Sequence, residues 1–306
     1  MATVLEIIDQ FCDRINQPRE SSIVGSSTPA ARQYLSLFKQ VGEELLSYPG
    51  EWTQLKRVYV FTITQGTSVY QLPGDFFRLL TGTQWGVSTQ IPLAGPISNS
   101  QLAFQTYGVA SASPYSAFQI NSAQGYIFNT SPYTQKSAGY FQISPSGQNS
   151  TDQNAIAYQS INYVWPRNWV TATAYSLGDI RTGINNIYYC SDAITSSATR
   201  PDATSGTDTD GDGQWTVYTE PYTISNDSDF CLFDDDIMIE GLRWAWFEAK
   251  QQFQMADRVK QRWDGSVRAS MGRQNGAIEV NAGYNINNTL TAYNVPIGSW
   301  AGVGDV

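Results

Sequence analysis

Apolar residues recur every third or fourth position near the two ends of the chain and every second position in its middle. These periods place helices outside and strands inside. Val4, Ile8, Phe11 and Ile15 form one helical stripe, which Pro18 stops ahead of a polar run over 20–27. Thr28-Pro29 then signals a second helix. The hydroxyl can cap orphan amides, and the proline sits where its missing N–H costs nothing. Tyr34, Leu35, Phe38, Val41, Leu45 and Leu46 make its buried face, and Pro49-Gly50 ends it. Two such helices, antiparallel across a short loop, need a further partner. Met238, Leu242, Ala245, Trp246, Ala249, Phe253, Ala256, Val259, Trp263 and Val267 keep the spacing for about eight turns and supply it. Asp234, Asp235 and Asp236 crowd the start of that helix, where the dipole favours acids, and Lys260, Arg262 and Arg268 crowd its other end. Trp244 beside Trp246 exceeds what one stripe needs. The pair either reaches another subunit or belongs to a broad intrachain core.

Between the ends the pattern alternates. Val58, Val60 and Thr62 oppose Tyr59, Phe61 and Ile63, and 64–67 turns the chain into 68–72 as a hairpin. Short aromatic strands follow at 117–120, 126–128, 139–143 and 161–165, punctuated by Gly, Pro, Ser and Asn. Residues 167–222 read as a further small β module, with Trp169, Tyr175, Tyr188, Tyr189 and Trp215 on short strands and one long polar loop over 196–214. From 276 the chain turns rich in Asn, Gly and Thr yet keeps Tyr284, Ile286, Leu290, Tyr293, Val295, Pro296 and Trp300. A disordered tail usually lacks such hydrophobes. The segment reads as an interaction arm able to span about 100 Å, or as a fold-back onto its own domain. The expected class is α+β. A discontinuous helical bundle (1–50 and 233–275) carries an antiparallel β domain (51–166), an inserted β module (167–222) and an extended C-terminal arm (276–306).

Composition narrows the chemistry. The 306 residues hold 18 Lys+Arg against 27 Asp+Glu, a net charge of −9, and no histidine. Only 15% are charged, while 41% are hydrophobic and 13% aromatic, enough for a core in two or three compact units. The missing histidine removes Ser-His-Asp and Cys-His nucleophiles and His-ligated zinc. No GxxxxGK[ST] or GxGxxG motif is present, and no acid pair sits in a recognisable motif. Neither an enzyme nor a cofactor is expected. The acid excess argues against a large basic field for nucleic acid. Cys12, Cys190 and Cys231 are scattered and show no CxxC spacing, so they read as reduced, mostly buried thiols. No signal-peptide pattern opens the chain and no run approaches the roughly 20 apolar residues of a membrane span, so a soluble cytosolic product without a membrane anchor is expected.

Two motifs in the module point to ligands. Asp208, Asp210 and Asp212 match the opening of a calcium loop, but its twelfth position is Thr219 and Glu220 falls one residue late. A polar hairpin is the competing reading, so no metal site is assigned. The module's aromatics either stack on sugars or form its own small core.

The order of these pieces resembles the head-to-tail adaptor proteins of short-tailed bacteriophages. The carrying residues are the stripe from Val4 to Ile15, then Tyr34 to Leu46 with Trp52 behind it. Next come Tyr70-Gln-Leu-Pro-Gly-Asp-Phe-Phe-Arg78, Phe233-Asp-Asp-Asp-Ile237, Gly241-Leu-Arg-Trp-Ala-Trp246 and the 296–300 tail. The resemblance covers roughly 1–85, 155–166 and 225–306; the 167–222 insertion departs from shorter members. It implies a virion structural protein at the head-tail junction, present in the host cytoplasm during assembly. Such a protein would form a ring, typically of twelve copies, below the portal, sealing the filled head. It would extend the channel through which DNA passes without sequence-specific binding, and offer a platform to the tail nozzle or other tail proteins. Tyr284, Ile286, Leu290, Tyr293, Val295, Pro296 and Trp300 are then the portal-contact candidates. A negative channel lining would let phosphate slide past. The module's own resemblance, to small Trp/Tyr-rich β modules of phage structural proteins and more distantly to chitin-binding modules, leaves a second expectation: a glycan- or receptor-binding tail component acting through 167–222.

Overall fold

Thr3 opens the first helix with a capping box. Its hydroxyl accepts from the Glu6 amide at 3.2 Å, while the Glu6 carboxylate accepts from the Thr3 amide at 2.8 Å. In the computed structural model, which describes residues 1–80, 82–101, 103, 117–121, 140–144, 152–184, 186–195, 197–203 and 205–282, this helix is α1 (Val4–Arg14). It ends at Asn16, whose φ of 53° breaks the ladder before Pro18 is reached. Helix α2 (Pro29–Ser47) starts where Thr28 Oγ1 accepts from the Ala31 amide at 3.3 Å. The polar run between them is not wholly solvated: Ile23 is buried, and Asp227 accepts from the Ile23 and Val24 amides at 3.0 and 2.8 Å.

The long C-terminal helix divides in two. Helix α3 (Asp235–Ala249) ends at Lys250, and α4 (Phe253–Ala282) begins after Gln251 takes a φ of 59°. Helix α4 then runs back along α3. Trp263 Nε1 donates to the Ile237 carbonyl at 2.9 Å, and the Trp244 and Trp263 rings stack at 5.2 Å. The stripe is therefore folded on itself, with Ala249 and Phe253 exposed at the bend rather than buried. Phe11, Tyr34 and Trp246 meet at 5.8–6.0 Å where α1, α2 and α3 converge. Gly241 makes the α2–α3 approach possible, since a Cβ there would lie 2.5 Å from Val41 Cγ1. The first and last parts of the chain thus share one core, which also takes in Trp52, Leu55, Val164 and Phe233.

The β regions lie between. Strand β1 (Lys56–Thr62) is antiparallel to β8 (Gln153–Ser160), from Lys56↔Gln159 to Thr62↔Gln153. Strands β3 (Phe76–Leu79) and β4 (Trp85–Gly86) also pair with β8, and β5 (Ile91–Pro92) extends β4. A second sheet joins β2 (Val69–Gln71) to β7 (Tyr140–Ser144) and β7 to β6 (Ala117–Asn121). The expected 58–72 hairpin does not form. The turn exists, with the Thr67 amide donating to Thr64 O at 3.0 Å, but its arms enter different sheets. The reason is the core: Phe61 packs against Tyr70 and Phe141 across the sheets, at 5.0 and 5.4 Å. Of the 161–165 strand only β9 (Val164–Trp165) is extended, paired with β14 (Phe230–Cys231) beside the helices. The expected 126–128 strand lies outside the described residues.

The module is a four-stranded antiparallel sheet in the order β10 (Ile180–Thr182), β11 (Ile187–Asp192), β13 (Gly213–Val217), β12 (Thr207–Asp210). Strand β12 and the first residues of β13 fall in the 196–214 stretch read as one polar loop. The chain is α+β with antiparallel sheets.

Candidate assembly surfaces

Both tryptophans of α3 are spent inside the chain. Trp244 lies on Trp263, Trp246 lies on Phe11 and Tyr34, and Lys260 and Lys250 cap their outer faces at 4.2 and 4.5 Å from the ring centroids. The acids at the start of α3 do more than complement its dipole. Asp234 caps the Asp236 amide at 3.1 Å, Asp235 accepts from the Ala2 amide at 3.1 Å, and Asp236 pairs with Arg14 at 2.7 Å. Glu240 links Arg14 and Arg243, both at 2.8 Å, so α1 is clamped to α3. Lys260 stands 3.8 Å from Glu44 and Tyr48 Oη 3.3 Å from Asp264, which ties α4 beside the end of α2. The buried thiols are inert: burial pushes Cys231 up to about 12 and raises Cys12 and Cys190, and all three are free.

The extended arm expected over 276–306 does not start at 276, because α4 stays helical through Ala282, and the rest of that range lies outside the described residues. Tyr284, Ile286, Leu290, Tyr293, Val295, Pro296 and Trp300 lie outside the described residues.

In the module, Trp215 and Tyr188 are fully buried and Tyr175 nearly so, packed with Cys190 and Ile194, while Trp169 packs against them. These rings make a core and do not form a sugar platform. The three aspartates diverge. Asp210 accepts from the Ala198 and Thr199 amides at 2.6 and 2.8 Å and from the Trp169 and Trp215 indoles, both at 3.1 Å. Asp212 takes the Thr195 amide at 3.0 Å and Asp208 the Asp202 amide at 2.8 Å. Each carboxylate faces its own donor, which is the hairpin reading.

Sequence reasoning missed the polar seam joining module, sheet and helices. Asp75 is 1% exposed and accepts from Tyr158 Oη at 2.7 Å and Ser160 Oγ at 2.6 Å. Burial raises its carboxyl despite those bonds. The buried Arg57 guanidinium lies 4.3 Å over Trp165 and bonds Asn186 of the module. Nearby, α2 and the 222–224 segment frame a groove of about 440 Å³ walled by Lys39, Glu43, Phe77, Tyr163 and Tyr222. No local motif encodes this seam, because its members are brought together from across the chain. Among the described residues no helix is long and apolar enough to cross a membrane. No family model matches the chain, and no curated protein matches it.

Proposed function

We propose that the chain is a virion structural protein, a head-to-tail adaptor that assembles as a dodecameric ring below the portal. There it seals the filled head, extends the DNA channel and gives the tail nozzle its platform. The observation that carries this reading is the arrangement of the ends. A helical core is closed by both of them, the β units are inserted between, and α4 leads through Ala282 straight into the Tyr284-to-Trp300 segment. A helix that leads into an apolar, nearly uncharged stretch of sequence suits docking on a neighbour. Internal use of Trp215, Tyr188 and Tyr175 counts against the glycan-binding alternative through those rings.

The test is electron microscopy of the chain mixed with the portal protein of the same virus. Closed rings seated on the portal are expected. A chain ending at Ala282 should keep its helical circular dichroism and lose portal assembly. A monomer that ignores the portal even at high concentration overturns the proposal.

A further inference from the structure

Strand β10 and the 218–226 connector enclose a cleft of about 460 Å³ lined by Arg167, Asp179, Arg181, Tyr218, Tyr222 and Asn226, among others. That volume falls within the roughly 300–1,000 Å³ of small-molecule sites. Two guanidinium groups share one cleft in a chain whose net charge is −9. Arg181 is held in place. Its Nη1 donates to Ile180 O at 2.6 Å, its Nη2 stands 4.0 Å from Asp179 Oδ1, and its guanidinium lies 5.2 Å from the Tyr175 ring centroid. Arg167 is exposed, and its guanidinium has no hydrogen bond or ion pair among the described residues.

The opposite wall is braced from behind. Asp229 is 1% exposed, and its Oδ2 accepts from Tyr222 Oη at 2.9 Å and from the Ser225 and Asn226 amides at 2.8 and 3.0 Å. Those bonds fix the loop and occupy its own donors. They also turn the Asp229 charge onto backbone amides, which leaves the Tyr222 ring and the Asn226 carboxamide for the cleft. At the mouth, Arg181 stands against the Asp179 carboxylate and the buried Asp229 carboxylate lies behind Tyr222, so among the described residues Arg167 is the cleft guanidinium left without an ion pair, the complement of a single carboxylate. A dianionic phosphate would face Asp179 with charge left over.

We propose that this cleft binds a carboxylated saccharide, a hexuronate unit. Its carboxylate takes the Arg167 fork beside Arg181, its hydroxyls donate to Asp179 and Asn226, and its ring face rests on Tyr218 and Tyr222. The site's own rings, Tyr218 and Tyr222, lie outside the module's aromatic core, which it touches through Arg181 over Tyr175, and it does not depend on ring assembly.

The full chain is titrated with digalacturonic acid by saturation-transfer NMR and calorimetry, beside neutral digalactose and galactose 6-phosphate. The uronate binds, the neutral sugar binds about tenfold weaker or not at all, and the phosphate falls below the uronate. Arg167→Ala weakens uronate binding by about tenfold with an unchanged melting temperature. Arg167→Lys keeps the charge and still loses affinity, because the fork is gone. No uronate binding at about 10 mM, equal binding of the neutral sugar, tighter binding of the phosphate, or an Arg167→Ala or Arg167→Lys variant that binds like the parent each overturns the assignment.

Discussion

Two buried aspartates respond to acid in opposite directions. Asp210 is buried, which alone would raise its carboxyl. The Thr199 and Ala198 amides and the Trp215 and Trp169 indoles more than reverse that and hold it below its ordinary value. Its contribution is complete above the unfolded value of about 3.9 and is lost as pH falls through the lower native value. Asp210→Ala leaves four N–H groups without their acceptor, so it should cost the module about 3 kcal/mol at neutral pH. Its deficit should shrink at pH 3, as read by urea titration of tryptophan fluorescence. Asp75 has the reverse sign. Burial, only partly offset by Ser160, Tyr158 and Arg57, raises its carboxyl. Between about 3.9 and that raised value the folded chain binds the proton more tightly, so stability falls as pH rises through the window. Asp75→Asn, a neutral stand-in for the protonated carboxyl, should remove that slope, so urea midpoints of variant and parent should lie together at acid pH and separate toward neutral pH as the parent falls. Midpoints that run parallel from pH 3 to 7 would show that Asp75 is not the group responsible.

Helices set their own spacing, and glycine marks where they touch. Gly241→Ala would press a methyl into Val41 and the Trp263 indole, so a loss of about 1–3 kcal/mol is expected despite alanine's better helix propensity. Gly265 in α4 has nothing within 4 Å of the added carbon, so Gly265→Ala should gain about 0.8 kcal/mol. Chemical denaturation of the pair separates packing from propensity; equal shifts in one direction would refute the α2–α3 contact. These elements also show which parts of the fold the sequence reveals. Helices α1 and α2 are readable because one stripe and one cap define each. The α3–α4 bend is not, since Ala249-Lys-Gln-Gln-Phe253 holds no Gly or Pro and the apolar period runs straight through it. Strand β8 is hidden for a different reason. Its Asn154, Gln159 and Ser160 are buried, so Gln153-Asn-Ala-Ile-Ala-Tyr-Gln-Ser160 shows no clean alternation although three strands pair with it. The Arg167–Arg181 cleft and its Asp229 brace are invisible locally, because they meet only when the connector folds back against β10.

At the scale of the molecule, the helical core joins residues more than two hundred positions apart: Arg14 to Asp236, Ala2 to Asp235, and Val4 N to Asp229 O at 2.8 Å. Loop closure grows only slowly with length, so long insertions are tolerated if their ends stand together. For the module they do. Asn162 Nδ2 donates to Glu220 O at 2.9 Å, and its Oδ1 accepts from the Tyr222 amide at 2.7 Å, so entry and exit are side by side. Replacing 168–217 with a short Gly-Ser linker should therefore leave the helical core folded. Arg57 keeps Trp165 in that variant but loses Asn186, which sets the expected penalty at about 1–3 kcal/mol. Helical circular dichroism should persist, with one cooperative transition at a lower urea midpoint. If the adaptor reading holds, the shortened chain should still form rings on the portal, since α4 and the segment after it are untouched. Loss of the helical signal would mean that the module is a required part of the core; rings lost with helices intact would place the module in the ring interface.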